Sequence, residues 1–161
     1  MINKIISKVF FKIQDISWKY KYKQYREKYD ISETFRFNGI NINFYGNGEI
    51  KIGKDSYIGS FSSIQTYDNC KITIGDNCSI SHYVKIYTMN RNSIDVINNE
   101  KDISKELGNV IIGDNCWIGV GVFIKQGIVI GNNVVIGANS VVTKNIPDNS
   151  IYAGNKVIKS V

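Results

Sequence analysis

His82 is the only histidine in this 161-residue chain, and histidine is the one side chain whose ordinary chemistry takes up and releases a proton near neutral pH. Such a group acts as a general base when a nucleophile lies within hydrogen-bond reach. A lone histidine is also, and more often, a plain structural residue, so the residue type alone leaves both readings open. One histidine cannot build a three-histidine zinc site. The three cysteines, Cys70, Cys78 and Cys116, are odd in number and contain no C-x-x-C pair. They argue against a structural zinc site and against a disulfide framework, so no metal is expected and a reducing, cytoplasmic compartment is the simpler reading.

The framework that must hold His82 is written in the composition. Isoleucine occurs 29 times, leucine once (Leu107) and alanine twice (Ala138 and Ala153). β-Branched side chains are stiff at χ1 and suit strands, so a helical bundle does not fit. Fourteen glycines and 19 asparagines against a single proline, Pro147, supply many corners in the left-handed backbone region. The length is one domain's worth, enough for a real core.

Those strands follow a six-residue period. Ile112, Ile118, Ile124, Ile130, Ile136 and Val142 recur without a slip, and Ile52, Ile58, Ile64 and then Ile74, Ile80, Ile86 form two earlier blocks. The step from Ile64 to Ile74 is ten residues and that from Ile86 to Ile112 is 26, so four residues are inserted in the first gap and 20 in the second. A period of six matches neither an α-helix nor a plain strand meander. It suits a coil in which each hexad is a short strand plus a corner, stacked into a parallel β-helix.

The pattern resembles the hexapeptide-repeat family, which implies an all-β fold: a left-handed parallel β-helix with three hexads to a coil. The hand comes from the resemblance, because ordinary parallel crossovers are right-handed. On that stacking, Ser56, Cys78, Cys116 and Val134 form an inward column of small core residues. Asp55, Asn77, Asn115 and Asn133 form a corner ladder suited to turn geometry. Ser60 falls below His82 and Val120 above it, with no carboxylate in the column.

The resemblance narrows toward the C-terminus. Ile112-Gly113-Asp114-Asn115-Cys116-Trp117-Ile118-Gly119, then Val141-Val142-Thr143-Lys144-Asn145-Ile146-Pro147, then Ala153-Gly154-Asn155 are similar to the acetyl-CoA-dependent hexapeptide acyltransferases. The branch is that of the maltose, galactoside, xenobiotic and capsule or O-antigen acetyltransferases, and the likeness covers residues 40–158. Lys156 stands where the family has proline. The resemblance implies an O-acetyltransferase acting on a sugar hydroxyl of a cell-surface polysaccharide or its precursor, with His82 as general base. It implies acetyl-CoA contacts from Trp117, Gly119, Lys125, Ala138, Lys144 and Asn155, the lysines meeting phosphates as point charges. Backbone N–H groups near Gly119 would hold the developing oxyanion.

It further implies acceptor contacts from Asn90, Arg91 and Asp95 in the long protruding loop of residues 87–109, with Asp95 a candidate to orient His82. A homotrimer with its sites between neighbouring coils is implied as well. In many relatives the catalytic histidine begins this excursion in a Thr-His-Asn-His-like stretch, where this chain reads Thr88-Met89-Asn90-Arg91. Either His82 has taken the role or the chain is a weakly active relative. An N-acetyltransferase on an amino sugar and a catalytically silent scaffold are the alternatives. A γ-type carbonic anhydrase would need three histidines, and a sugar nucleotidyltransferase would need a further nucleotide-binding domain.

The net charge of +6 is not a basic surface for nucleic acid. Residues 1–30 carry eight basic and three acidic side chains, a balance of +5, which leaves +1 for the rest. Ile2, Ile6, Val9, Ile13, Ile16 and Tyr20 are three or four apart, and Trp18, Tyr22, Tyr25 and Tyr29 lie on an adjoining stripe. Residues 1–30 are therefore expected as an amphipathic helix ahead of a β-helix domain of residues 31–161. The helix would pack on its own domain, on a sister subunit, or on the anionic inner face of a membrane. No apolar run approaches the roughly 18 residues that span a bilayer, and charges interrupt any signal-peptide stretch.

Overall fold

In the computed structural model, which describes residues 2–160, the chain from Asp30 onward winds into a three-sided parallel β-helix of about five turns. The first face stacks Asp30–Ile31, Glu49–Ile52, Lys71–Ile74, Val110–Ile112 and Val129–Ile130. The second stacks Arg36–Asn38, Tyr57–Gly59, Ser79–Ile80, Trp117–Ile118, Val135–Ile136 and Ser150–Ala153. The third stacks Asn43–Gly46, Ser63–Thr66, Lys85–Tyr87, Phe123–Ile124 and Val141–Val142.

Parallel pairing sets like hexad positions directly over one another. Phe37, Ile58, Ile80, Ile118, Ile136 and Tyr152 make one inward column. Phe44, Ile64, Ile86, Ile124 and Val142 make a second, and Ile31, Ile52, Ile74, Ile112 and Ile130 a third. All are buried except the end residues Phe37 and Ile31.

The Ser56, Cys78, Cys116 and Val134 column is fully buried, as the period predicts. The Cys78 amide donates to Ser56 Oγ at 2.8 Å, and the Cys78 and Cys116 thiols donate to the Gly113 and Gly131 carbonyls, each at 3.1 Å. The Cys78 thiol beside it, together with burial, pushes the Cys116 thiol up, so it stays a neutral core group. Asp55, Asn77, Asn115 and Asn133 all take φ of 55–56°, and Asn149 extends the ladder at 55°. Side-chain amides link Asn115 to Asn133 at 3.2 Å and Asn133 to Asn149 at 2.9 Å.

The four-residue insertion is the turn between Ser63–Thr66 and Lys71–Ile74. The 20-residue insertion is not a plain loop. Met89–Arg91 pairs antiparallel with Lys105–Leu107, and a short helix, Ser93–Ile97, fills the tip. Thr88 is buried in the coil and accepts from the Gly108 amide at 3.0 Å, so this arm begins at residue 89.

The coil also begins earlier than the readable repeat. Its first turn is lined by Phe35, Phe37, Ile42 and Phe44 because its open end packs against a helix instead of another coil. That helix runs Ile2–Lys28. Tyr22 stacks on Phe37 at 4.4 Å and 8°, and Tyr25 on Phe44 at 5.1 Å and 16°. The Tyr22 hydroxyl donates to the Gly39 carbonyl at 2.8 Å, and burial pushes its phenol to about 12. The aromatic stripe is thus the packed one, and the aliphatic stripe from Ile6 to Tyr20 lies on the opposite side of the helix, not adjoining it, and is exposed. The Ile2 side chain lies outside the described ones. At the far end Lys156–Ser160 folds back antiparallel on Ser150–Ala153.

Ile118 sits mid-column with no exposed surface. Ile118→Ala is expected to lower unfolding stability by about 3 kcal/mol, measured by urea titration. A loss below about 1 kcal/mol would show that the column relaxes around the gap.

Candidate active site

His82 follows Ser79–Ile80 on the second face and precedes Lys85–Tyr87 on the third, so it stands on the corner between them. Tyr83 makes the turn with φ of 59°. The Tyr83 amide donates to the Ser60 carbonyl at 3.0 Å, and the Gly121 amide to the His82 carbonyl at 2.9 Å. Ser60 therefore lies one rung below His82 and Val120 one rung above. The imidazole is exposed, and its Nδ1 lies over Gly59, where an added Cβ would come within 2.7 Å. Glycine there leaves room for the ring. Among the described residues no hydrogen bond reaches the imidazole, so both ring nitrogens are open to a ligand.

Val120, Ala138 and Gly154 continue this edge upward, in register on the neighbouring coils. At about 4.8 Å per rung, Gly154 stands roughly 14 Å above His82. Gly119 and Asn155 adjoin the same edge. Trp117 projects from the second face two residues before Gly119, 58% exposed. Above Val120, the methyl of Ala138 and the bare backbone of Gly154 leave a track for a long, thin ligand. The Gly119 N–H does not serve as an oxyanion donor, because it donates to the Ile136 carbonyl at 2.8 Å within the ladder. The next amide, that of Val120, has no hydrogen-bond partner among the described residues and lies directly above His82.

Lys125, Lys144, Asn90, Arg91 and Asp95 gather elsewhere. The arm leaves from the opposite end of the third face, across the Lys85–Tyr87 strand, roughly 10 Å long. Asn90 Nδ2 donates to Gln126 Oε1 at 2.6 Å, Gln126 Nε2 donates to Glu106 Oε2 at 2.8 Å, and Lys125 pairs with Glu106 at 3.2 Å. Lys144 is exposed near the same corner. Asp95 accepts from the Ser104 amide at 2.8 Å and from its hydroxyl. Those two bonds hold its carboxyl below the usual aspartate range. Asp95 is thus the clasp of the arm and does not orient His82 of its own chain, since the arm springs from the wrong corner for that contact. Glu106 and Gln126 were not singled out by sequence, because only the antiparallel ribbon brings positions 106 and 126 together.

One further pair escaped the sequence reading. Eleven described non-glycine residues have positive φ; nine are Asn or Asp, and the other two are Phe61 and Tyr83. Both are exposed on the His82 corner and stack face to face at 5.0 Å and 7°. Asn41 and Asn139 fill the same corner position in other coils. A bulky side chain in this region costs about 1–2 kcal/mol. The signal was available: each aromatic falls three residues after the hexad isoleucine, Ile58 or Ile80, where a turn residue belongs.

Coil, corner and open imidazole define a β-helical transferase scaffold, and comparison with known proteins agrees. Residues 109–144 match the family model described as bacterial transferase hexapeptide (six repeats). A Dictyostelium discoideum protein assigned as an acetyltransferase is 41% identical over 139 residues, which is 84% of this chain. The chain spans 66% of that relative's length. The maltose O-acetyltransferase of Clostridium difficile 630 is 39% identical, with a TM-score of 0.59 over 80% of this chain and 71% of its own. A hexapeptide-repeat acetyltransferase of Vibrio cholerae O1 biovar eltor, crystallised with acetyl coenzyme A, superposes with a TM-score of 0.70 at 26% identity, over 88% and 76% of the two chains. The chain belongs to the hexapeptide-repeat acyltransferases.

Two outcomes follow from this geometry. Tyr83→Asn relieves the left-handed strain and is expected to raise stability by about 1 kcal/mol, read from thermal unfolding; a lower melting point would mean that the ring stack outweighs the strain. Because the Asp95 pKa is lowered in the folded arm, the clasp is intact above the ordinary aspartate value and is lost as pH falls through the lowered one, below about pH 4. Hydrogen exchange of the arm amides should then speed up relative to the coil amides, and a constant ratio from pH 7 to 3 would contradict it.

Proposed function

We propose that this chain is an acetyl-CoA-dependent O-acetyltransferase that acetylates a sugar hydroxyl of a cell-surface polysaccharide or its precursor, with His82 as general base. The observation that carries the reading is the edge itself: an imidazole and, directly above it, the Val120 amide, both without a hydrogen-bond partner among the described residues, with Ala138 and Gly154 leading away on the next two rungs. The 39% identity to a maltose O-acetyltransferase supports oxygen as the acceptor atom.

Acetyl-CoA brings the activated acetyl group. His82 accepts the proton of the acceptor hydroxyl as the oxygen closes on the thioester carbonyl, then returns it to the departing thiolate. The Val120 N–H donates to the carbonyl oxygen as negative charge builds there. Trp117, Gly119, Ala138 and Asn155 border the track for the rest of the donor. The stacked Phe61 and Tyr83 rings offer a flat apolar face to one side of the acceptor sugar. His82 is open to solvent in a single chain, so a homotrimer that sets a neighbouring coil against this edge would complete the site. Asn90 and Arg91, on the arm, are then the residues suited to reach a neighbour's acceptor.

Release of free thiol from acetyl-CoA, followed with hydroxy-sugar and amino-sugar acceptors, tests the reaction and the atom acetylated. His82→Gln is expected to reduce kcat by roughly 100- to 10,000-fold with unfolding unchanged. Unaltered turnover in the folded variant removes His82 as the base, and faster turnover with amino sugars reassigns the enzyme to N-acetylation. No CoA binding by calorimetry would leave a β-helical scaffold.

A further inference from the structure

The N-terminal helix has two faces with different fates. Trp18, Tyr22, Tyr25 and Tyr29 pack on the first coil. With 3.6 residues per turn, Ile6, Val9, Ile13, Ile16 and Tyr20 lie on the opposite side. Tyr22 reaches Gly39, and Tyr29, about 10 Å further along the helix, reaches Phe44 and Gly46. All three partners belong to the first coil, and the second lies about 4.8 Å deeper. The helix therefore crosses the open end of the β-helix instead of running down its side, and its aliphatic face looks outward along the coil axis. The same chain cannot cover that face.

Ile5, Ile6, Val9, Phe10, Ile13, Ile16 and Tyr20 are 53–65% exposed. Together they present roughly 800 Å² of side-chain surface, above the roughly 300–600 Å² of the largest apolar patch on an ordinary monomer. Lys8, Lys12 and Lys19 line one flank of this stripe. The one acidic residue before Glu27 is Asp15, paired with Lys19 at 2.8 Å. No described helix is long and apolar enough to cross a membrane.

We propose that this face docks on an anionic lipid bilayer, the helix lying flat with its isoleucines in the headgroup boundary and its lysines against the phosphates. The charge decides between lipid and a bundle of sister helices. A bundle on the Ile stripe would bring the Lys8 and Lys12 rows together with no free carboxylate to meet them, since Asp15 is already paired with Lys19, whereas anionic headgroups neutralise both. A bilayer also matches a face that looks outward from the end of the coil.

Flotation of the full-length protein with phosphatidylcholine vesicles, with and without phosphatidylglycerol, tests this. Binding is expected to the anionic vesicles alone and to weaken as salt rises. Replacing the three flanking lysines (K8Q, K12Q, K19Q) should cut partitioning roughly 100-fold. V9S with I13S should abolish it at low salt without changing the β-sheet circular dichroism signal, since neither side chain touches the coil. Equal binding to neutral and anionic vesicles, or binding to neither, overturns the proposal. So does a V9S/I13S variant that sediments as a smaller species while its vesicle binding stays as in the parent, because that assigns the face to sister copies.

Discussion

Each coil of this protein is stable because another covers it. A two- to four-residue strand cannot bury its isoleucine alone, but parallel pairing in register places the same hexad position of every coil on one column. Each fully buried isoleucine there contributes about 1.5–3 kcal/mol. The columns admit little besides β-branched chains and small thiols or hydroxyls, and they leave every second residue facing out. Corners then have to turn within two or three residues, which is why Asn recurs in the left-handed region at the Asp55 to Asn149 ladder.

The same constraint creates the two ends and the site. A coil with no neighbour exposes its column, so the first coil carries Phe35, Phe37 and Phe44 and is closed by the tyrosines of the helix. At the other end the chain doubles back on Ser150–Ala153. Along one corner, register collects positions 60, 82, 120, 138 and 154 onto a single edge although they span most of the chain. The unpaired Val120 amide over the open His82 ring is a product of that register. Phe61 and Tyr83 break the corner rule beside it, and their strain is held by the coils on either side.

Much of this was readable beforehand because a period is a local property. The hexad, the inward Ser56, Cys78, Cys116 and Val134 column, the Asn ladder, and Ser60 and Val120 as neighbours of His82 follow from counting. The first coil was hidden, since aromatics replace its isoleucines where a helix is the partner. The arm was readable as an insertion and not as a ribbon, because its Glu106, Gln126 and Asn90 contacts depend on antiparallel pairing across residues with no spacing rule. Which helix stripe packs was equally hidden, as both are apolar.

By itself the sequence determined the coil, its columns, the lone imidazole and the concentration of positive charge in the first 30 residues. These depend on residue type and regular spacing. Only the tertiary structure decided which corner each residue occupies. It set Asp95 and Lys125 into the arm and its base, away from His82, singled out Val120 as the free amide near Gly119, and turned the isoleucine face of the helix away from its own domain. The reason is that register and corner position are sums over every preceding insertion and turn, and a side chain's partner is fixed by that sum, not by its own neighbourhood.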